Sequence, residues 1–239
     1  MTDRTYADFL HLPDVLGSVT PSTPRADGRV YAAEHFFLVA HQTSELWLKH
    51  VLVDLGEALC AMSTPQRDVN QATEHVRRAA DAVRLLCVHV AIFARLQPTD
   101  FAAFRPAFGD ASGAQSTQFH ALRQVLGLAG EQSPLCRELL AAVAEDGTDL
   151  ATLYRRAPDG GPLYRLAEAM ADLSQAAWHW QLDHLDVVTR LIGRTRGTGG
   201  TDGAGYLARR LAAPFPELWE IRSRLYRPPV HAGGAMCPS

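Results

Sequence analysis

The sequence predicts an all-α protein, and three observations carry that prediction. Apolar residues recur at three- and four-residue intervals over most of the chain, sustained two-residue alternation is almost absent, and Pro, Gly and Ser/Thr punctuation falls between the periodic stretches. The chain has 239 residues, 47% of them hydrophobic, enough for one sizeable core. No internal repeat or low-complexity linker divides it, so residues 1–239 read as a single helical domain.

In order along the chain, the first long helix is predicted over 36–62, with Leu38, His41, Glu45, Leu48, Leu52, Leu55 and Leu59 on one stripe. The second is predicted over 71–96, with Val76, Ala80, Val83, Cys87, Val90 and Ala94 on one face, and Pro98 closes it. Thr99 then reads as the cap of a short turn carrying Phe101, Phe104 and Arg105, which Pro106 interrupts. A helix over 116–126 follows. Ser133 and Pro134 open the next one as cap and first residue, and Gly147 ends it. Gly160-Gly161-Pro162 breaks the chain before a helix that runs to about Gly193. It exceeds the usual globular length, as suits a bundle that holds a cofactor between facing helices.

Two of these stripes carry an anomaly. His41 and Glu45 interrupt an apolar face, and burying such groups without partners costs on the order of 2 kcal/mol or more, so that face must offer hydrogen bonds, a ligand or a cavity. His184 is the one strongly polar member of the stripe Leu166, Met170, Leu173, Ala177, Trp180, His184, Val188, Leu191; His179 faces elsewhere. A neutral imidazole on a rigid, apolar, Trp-bearing helix suits an axial iron ligand beside a flat porphyrin. A core histidine bonded to a carbonyl accounts for either stripe taken alone, and spacing does not separate the two readings.

Composition narrows the function classes. The formal net charge is −3, with no basic stripe interleaved with aromatics, which excludes a nucleic-acid partner and leaves small molecules. No uncharged run reaches the roughly 18 residues that a membrane span needs, and the N-terminus lacks a basic segment leading into an apolar one. No membrane partner and a cytoplasmic location are expected. Cys60, Cys87, Cys136 and Cys237 are widely separated, the first three in apolar helical surroundings, and point to neither a disulfide framework nor a zinc site. Without Cys-x-x-Cys-His, any haem would be held non-covalently. The glycine-rich run over 193–205 lacks both the Walker and the Gly-x-Gly-x-x-Gly spacing. It reads as a lid folding over a ligand or as a flexible surface loop.

Several motifs occur together, in order: Tyr6-Ala7-Asp8-Phe9-Leu10, His41-Gln42-Thr43-Ser44-Glu45-Leu46-Trp47 with Lys49, Pro98-Thr99-Asp100-Phe101 to Arg105, and Ala111-Ser112-Gly113 to Gln118-Phe119. His184, Gly197-Thr198-Gly199-Gly200-Thr201 and Phe215-Pro216-Glu217-Leu218-Trp219 complete the set. With these motifs the chain resembles the tryptophan 2,3-dioxygenase superfamily, as a divergent member.

The resemblance implies a helical bundle enclosing a b-type haem, with His184 as its proximal iron ligand, Trp180 beside it and O2 as co-substrate. It places His41 as the catalytic and substrate-binding group on the distal side, near the indole nitrogen of a tryptophan-like substrate. Phe37 and Phe101 would line the indole pocket, Arg105 would clamp the substrate carboxylate, and Thr198 would meet the amino-acid head group as a lid over 194–206 orders. Tyr6, Phe9 and Leu10 match an N-terminal arm, residues 1–20, that in the family covers a neighbouring subunit's site, so a homotetramer is expected.

The implied reaction inserts oxygen at indole C2–C3 of L-tryptophan or a methylated analogue, dioxygenation giving N-formylkynurenine or its analogue. Monooxygenation of a substituted tryptophan to a 2-oxindole in natural-product biosynthesis is the alternative, and a non-catalytic haem- or ligand-binding helical protein is a third. Arg105 with Thr198 speaks against the last, which has no need of an amino-acid clamp. A di-iron bundle lacks its Glu-x-x-His pairs. Phe101 and Phe9 stand where the family pattern has Tyr, Ala33-Glu34-His35 where it has His-Asp-Glu, and the stretch between Phe119 and the His184 helix is shortened. The two lost hydroxyls predict a less polar pocket that tolerates a methylated tryptophan.

Overall fold

In the computed structural model, which describes residues 4–157 and 161–226, every regular element is helical, and among the described residues there is no strand. Gly160 and Cys237, singled out above, lie outside the described residues. Two short helices, α1 (Tyr6–Leu10) and α2 (Leu12–Gly17), lead to α3 (Gly28–Met62) and α4 (Val69–Ala91), the latter extended by a 3-10 turn, Ile92–Arg95. Helix α5 (Pro98–Phe104) runs into the 3-10 turns Arg105–Phe108 and Gly113–Gln115, followed by α6 (Thr117–Val125), α7 (Pro134–Glu145) and α8 (Leu150–Arg155). The long α9 (Gly161–Ile192), α10 (Ala204–Ala208) and α11 (Pro216–Leu225) complete the chain.

Side-chain caps mark several helix starts, each satisfying a backbone N–H that the first turn leaves without a partner. Asp68 accepts from the Gln71 N–H at 2.9 Å, Ser116 from that of Phe119 at 3.1 Å, and Ser133 from that of Cys136 at 3.3 Å. The expected cap Thr99 is corrected to Gln97: Pro98 stands at the first position of α5, where a missing N–H costs nothing, so it opens a helix as well as following one.

Helix α4 packs along both α3 and α9, whereas α3 and α9 scarcely meet. The core fills one end of this arrangement: Val51, Leu55 and Met62 of α3, Val76, Val83 and Leu86 of α4, and Leu166, Met170 and Leu173 of α9 are all buried. Burial of each such side chain contributes about 1.5–3 kcal/mol. Alanines at 72, 79, 80, 167 and 176 let α4 approach its two neighbours closely.

The upper half of the α9 stripe, Trp180, His184, Val188 and Leu191, is only half-buried and faces a gap between α9 and α3. The stripe thus divides into a core half and a cavity half, which is why His184 is tolerated.

Buried polar residues fix the frame. Asp54, fully buried on α3, accepts hydrogen bonds from Arg78 Nε at 2.8 Å and His75 Nδ1 at 3.1 Å, both on α4. Burial pushes its carboxyl pKa up, but these bonds outweigh that and hold it below the ordinary value. Glu34 accepts the backbone N–H groups of Ser22 and Thr23 at 2.8 Å each, and Gln42 donates to the Ser18 carbonyl at 3.1 Å. The segment 18–23 is therefore tied to α3, while α1 and α2 bury no residue.

Several expectations are corrected. Helix α3 begins at Gly28 rather than 36, because Val30 and Ala33 pack against the distant α5 cluster of Leu96, Phe101 and Phe104. Its buried face centres on Leu48, Val51, Leu55, Ala58 and Met62, leaving Leu52 and Leu59 half-buried at the edge. The second long helix begins at Val69 rather than 71, and its α-helical part ends at Ala91, short of the expected 96, where the 3-10 turn Ile92–Arg95 takes over. Cys60 is exposed rather than packed in apolar surroundings, Cys87 is half-buried and Cys136 buried; all three are free thiols. Residues 204–206 of the expected lid belong to α10.

Candidate functional site

A cavity of about 280 Å³ occupies the gap between α3 and α9, bounded by α5 with its following turn, the start of α6, and the 197–207 segment. It brings together Phe37, His41, Phe101, Arg105, Trp180, His184 and Thr198.

His41 projects from α3 with its Nδ1 2.9 Å from the carbonyl of Phe37, one turn earlier. A carbonyl only accepts, so in the neutral ring the proton sits on Nδ1 and Nε2 keeps its lone pair. The Phe37 ring lies 3.9 Å away and holds the imidazole in place. Desolvation lowers the His41 pKa, more than the Phe37 bond and the Glu45 charge raise it. Glu45, the second polar interruption of that stripe, is matched by Gln118 of α6, whose Nε2 lies 2.8 Å from both the Glu45 carboxylate and its carbonyl oxygen.

His184 differs in kind. Its ring makes no hydrogen bond among the described residues, and the Trp180 ring lies parallel to it, centroids 6.0 Å apart at 12°. Burial, with the nearby His41, lowers its pKa to about 4. A core histidine bonded to a carbonyl describes Nδ1 of His41; it does not describe His184, a neutral imidazole with an uncommitted lone pair beside a cavity. That is the protonation state a metal ligand requires.

Five phenylalanines form the apolar end. Phe37 stacks on Phe108 at 5.0 Å, lies 5.6 Å from both Phe101 and Phe104, and meets Phe93 edge-on at 5.9 Å. Arg105, half-buried on the turn after α5, donates to the Arg196 carbonyl and so joins that turn to the glycine-rich loop. The loop is folded: the Gly197 N–H donates to the Thr201 carbonyl at 3.0 Å, and Thr201 Oγ1 to the Thr198 carbonyl at 3.4 Å. Two glycines allow this path. Gly199 has φ +64°, and a Cβ there would lie 2.9 Å from Ser112 Cβ; Gly203 has φ +63°, and a Cβ there would lie 2.7 Å from the Thr195 carbonyl oxygen.

Tyr6, Phe9 and Leu10 do not line this cavity; they are exposed, Tyr6 to 75% and Phe9 to 65%. Lining residues that sequence reasoning missed include Phe93, Phe108 and Tyr206. The first two carried only the signal of being aromatic near Arg105 or the second long helix, and Tyr206 carried none.

The profile of the tryptophan 2,3-dioxygenase family matches residues 1–135 and 134–225. The chain belongs to the tryptophan 2,3-dioxygenase family. It is 32% identical over 268 aligned positions to a tryptophan 2,3-dioxygenase of Caulobacter vibrioides, covering 93% of this chain and 99% of the relative. Similar enzymes from Kineococcus radiotolerans and Polaromonas naphthalenivorans are 30% and 29% identical, with 92% or more of each chain covered. The two blocks of the family match meet at the start of α7, inside the stretch between Phe119 and the His184 helix that departs from the family pattern.

Proposed function

We propose that this family member is a haem-dependent oxygenase that inserts oxygen at indole C2–C3 of L-tryptophan or a substituted tryptophan. One observation carries the reading: a single cavity holds an unpaired neutral imidazole at His184, a second imidazole with a free Nε2 at His41, and a guanidinium at Arg105. The donor set fits a b-type haem, whose iron His184 would hold and whose ring Trp180, Val188 and Leu191 would wall with apolar side chains. Bound there, the haem supplies the activation of O2.

The remaining work falls to side chains. Nε2 of His41 accepts the indole N–H and fixes the ring's azimuth. Phe37 and Phe101 pack on the indole, Arg105 pairs with the substrate carboxylate, and Thr198 meets the ammonium end. The folded glycine loop excludes water from the pocket.

In the same reading, residues 1–20 form an arm whose Tyr6, Phe9 and Leu10 cover a neighbouring subunit's cavity in a cytoplasmic homotetramer. Support comes from their exposure and from an outward stripe on α3, Val39, Leu46 and Val53, that nothing among the described residues covers. No helix among the described residues is long and apolar enough to cross a membrane. A second reaction, monooxygenation of a methylated tryptophan, is favoured by the all-phenylalanine end of the pocket, which offers no hydroxyl at Phe101.

The test is anaerobic reduction of the haem-loaded protein, addition of tryptophan or a methyltryptophan, then O2 and mass analysis. Gain of two oxygen atoms supports dioxygenation and of one monooxygenation; a haem-loaded protein that yields neither product is not an oxygenase of this class.

A further inference from the structure

Glu34 is only 3% exposed, yet it does not line the cavity and no cation pairs with it among the described residues. Both of its carboxylate oxygens go to backbone: Oε1 accepts the Ser22 N–H and Oε2 the Thr23 N–H, at 2.8 Å each. Eight residues further along α3, about 12 Å at 1.5 Å per residue, Gln42 Nε2 donates to the Ser18 carbonyl at 3.1 Å. The segment from 23 back to 18 therefore lies along α3 and leaves it at the level of His41.

No slack separates this strap from the arm. Helix α2 ends at Gly17, the Ser18 N–H donates to the Asp14 carbonyl at 3.1 Å, and its hydroxyl donates to the Val15 carbonyl at 2.7 Å. His11 alone, at φ +51°, joins α2 to α1, where Tyr6, Phe9 and Leu10 share one face by their three- and four-residue spacing. The direction in which that face is presented is thus set at the strap. Gln42 follows Val39 by three residues and precedes Leu46 by four, so the arm departs on the uncovered stripe of α3. A buried carboxylate is costly without full hydrogen bonding, and here it secures a segment whose onward helices bury no residue of their own. We infer that Glu34 is a positioning residue for the neighbouring subunit's site, fixing where and in which direction the arm leaves α3. The inference rests on the arm reading above.

The test uses full-length, haem-loaded protein and follows haem content, tryptophan affinity from the Soret shift, and KM against kcat. Glu34→Gln keeps the side chain's shape but sets an amide N–H group against one of the two backbone N–H donors. It should weaken tryptophan binding and raise KM several-fold, with haem content and kcat unchanged. Gln42→Ala, which leaves the carboxylate in place, should act in the same direction more weakly. Mixed oligomers show whether the effect crosses between subunits. Glu34→Gln subunits co-expressed with His41→Ala subunits, which keep an intact arm but lack turnover, should regain a near-wild-type KM at part of their sites. Should Glu34→Gln fail to fold, Gln42→Ala takes its place in the mixed oligomers.

A mixed oligomer that keeps the KM of the Glu34→Gln homo-oligomer overturns the inference, as do unchanged affinity and KM in Glu34→Gln itself. Loss of haem and kcat in step with the rise in KM overturns it too, because Glu34 then only stabilises its own subunit. The arm reading has a separate control in Tyr6→Ala/Phe9→Ala, which should reproduce the raised KM. Wild-type tryptophan binding by that double variant overturns the arm reading and this inference with it. A raised KM there with none in Glu34→Gln removes Glu34 alone and leaves the arm reading standing.

Discussion

Arg105→Leu tests the substrate clamp most directly. The side chain is half-buried, and part of its fork is committed to the Arg196 carbonyl, leaving the rest for a ligand in the cavity. A charge-assisted hydrogen bond contributes about 1.5–3 kcal/mol, and partial solvent access keeps a guanidinium–carboxylate pair near the lower end, about 3 kcal/mol for two bonds. At about 1.4 kcal/mol per factor of ten, that is roughly a 100-fold loss of affinity.

Removing Arg105 also frees the Arg196 carbonyl and loosens the loop, an effect shared by any indole ligand. The ratio between tryptophan and tryptamine, which lacks the carboxylate, isolates the clamp. The wild type should favour tryptophan by about 100-fold in apparent affinity, and the variant should show almost no preference while keeping its haem. A wild type that binds both compounds equally, or a variant that keeps the full preference, refutes the assignment.

Other outcomes follow from the same geometry. His184→Ala should purify with little haem, and added imidazole should partly restore the Soret band; full haem content with an unchanged spectrum would assign the iron elsewhere. His41→Ala should keep its haem and lose turnover, read as a fall in kcat at saturating substrate. Asp54→Asn should cost about 2 kcal/mol at pH 7, less than the 3–5 kcal/mol of a fully buried pair because Arg78 is largely solvent-exposed. The Asp54 carboxyl is held below its ordinary pKa, so its contribution is full above about pH 4 and lost as pH falls through its folded value. Urea midpoints of wild type and variant should therefore converge in acid. Phe101→Tyr should shift kcat/KM from methylated tryptophan toward tryptophan, since an apolar pocket separates the two by only about 1–3 kcal/mol; unchanged ratios remove this residue from the specificity argument.

The helices and the two histidines were legible for one reason: each long element carries enough turns for a period to emerge, and an imidazole on an apolar period stands out. His184 could be singled out because Trp180, Val188 and Leu191 continue its stripe. What spacing could not tell was whether its nitrogens are committed, because the nearest acceptors are a matter of tertiary packing. The short helices α8, α10 and α11 escaped because five to ten residues give too few turns for periodicity. Thr99 misled because a hydroxyl after a proline resembles a cap, whereas Pro98 had already taken the first helical position.

The site itself exists because of what the core leaves undone. Helix α4 holds α3 at one flank and α9 at the other, and the large buried side chains of all three crowd toward one end, so the opposite ends stand apart. Across that gap the chain has set phenylalanines rather than leucines that would interdigitate: Phe37, Phe93, Phe101 and Phe108 stack with one another and leave a space instead of filling it. The Asp54 clasp then makes the spacing stiff, since sliding α3 along α4 would strip a buried carboxylate of Arg78 and His75. A void with a lone-pair imidazole on one wall costs folding energy that a compact core would not. In the proposed function that cost is recovered when a ligand with an apolar face and a metal binds there.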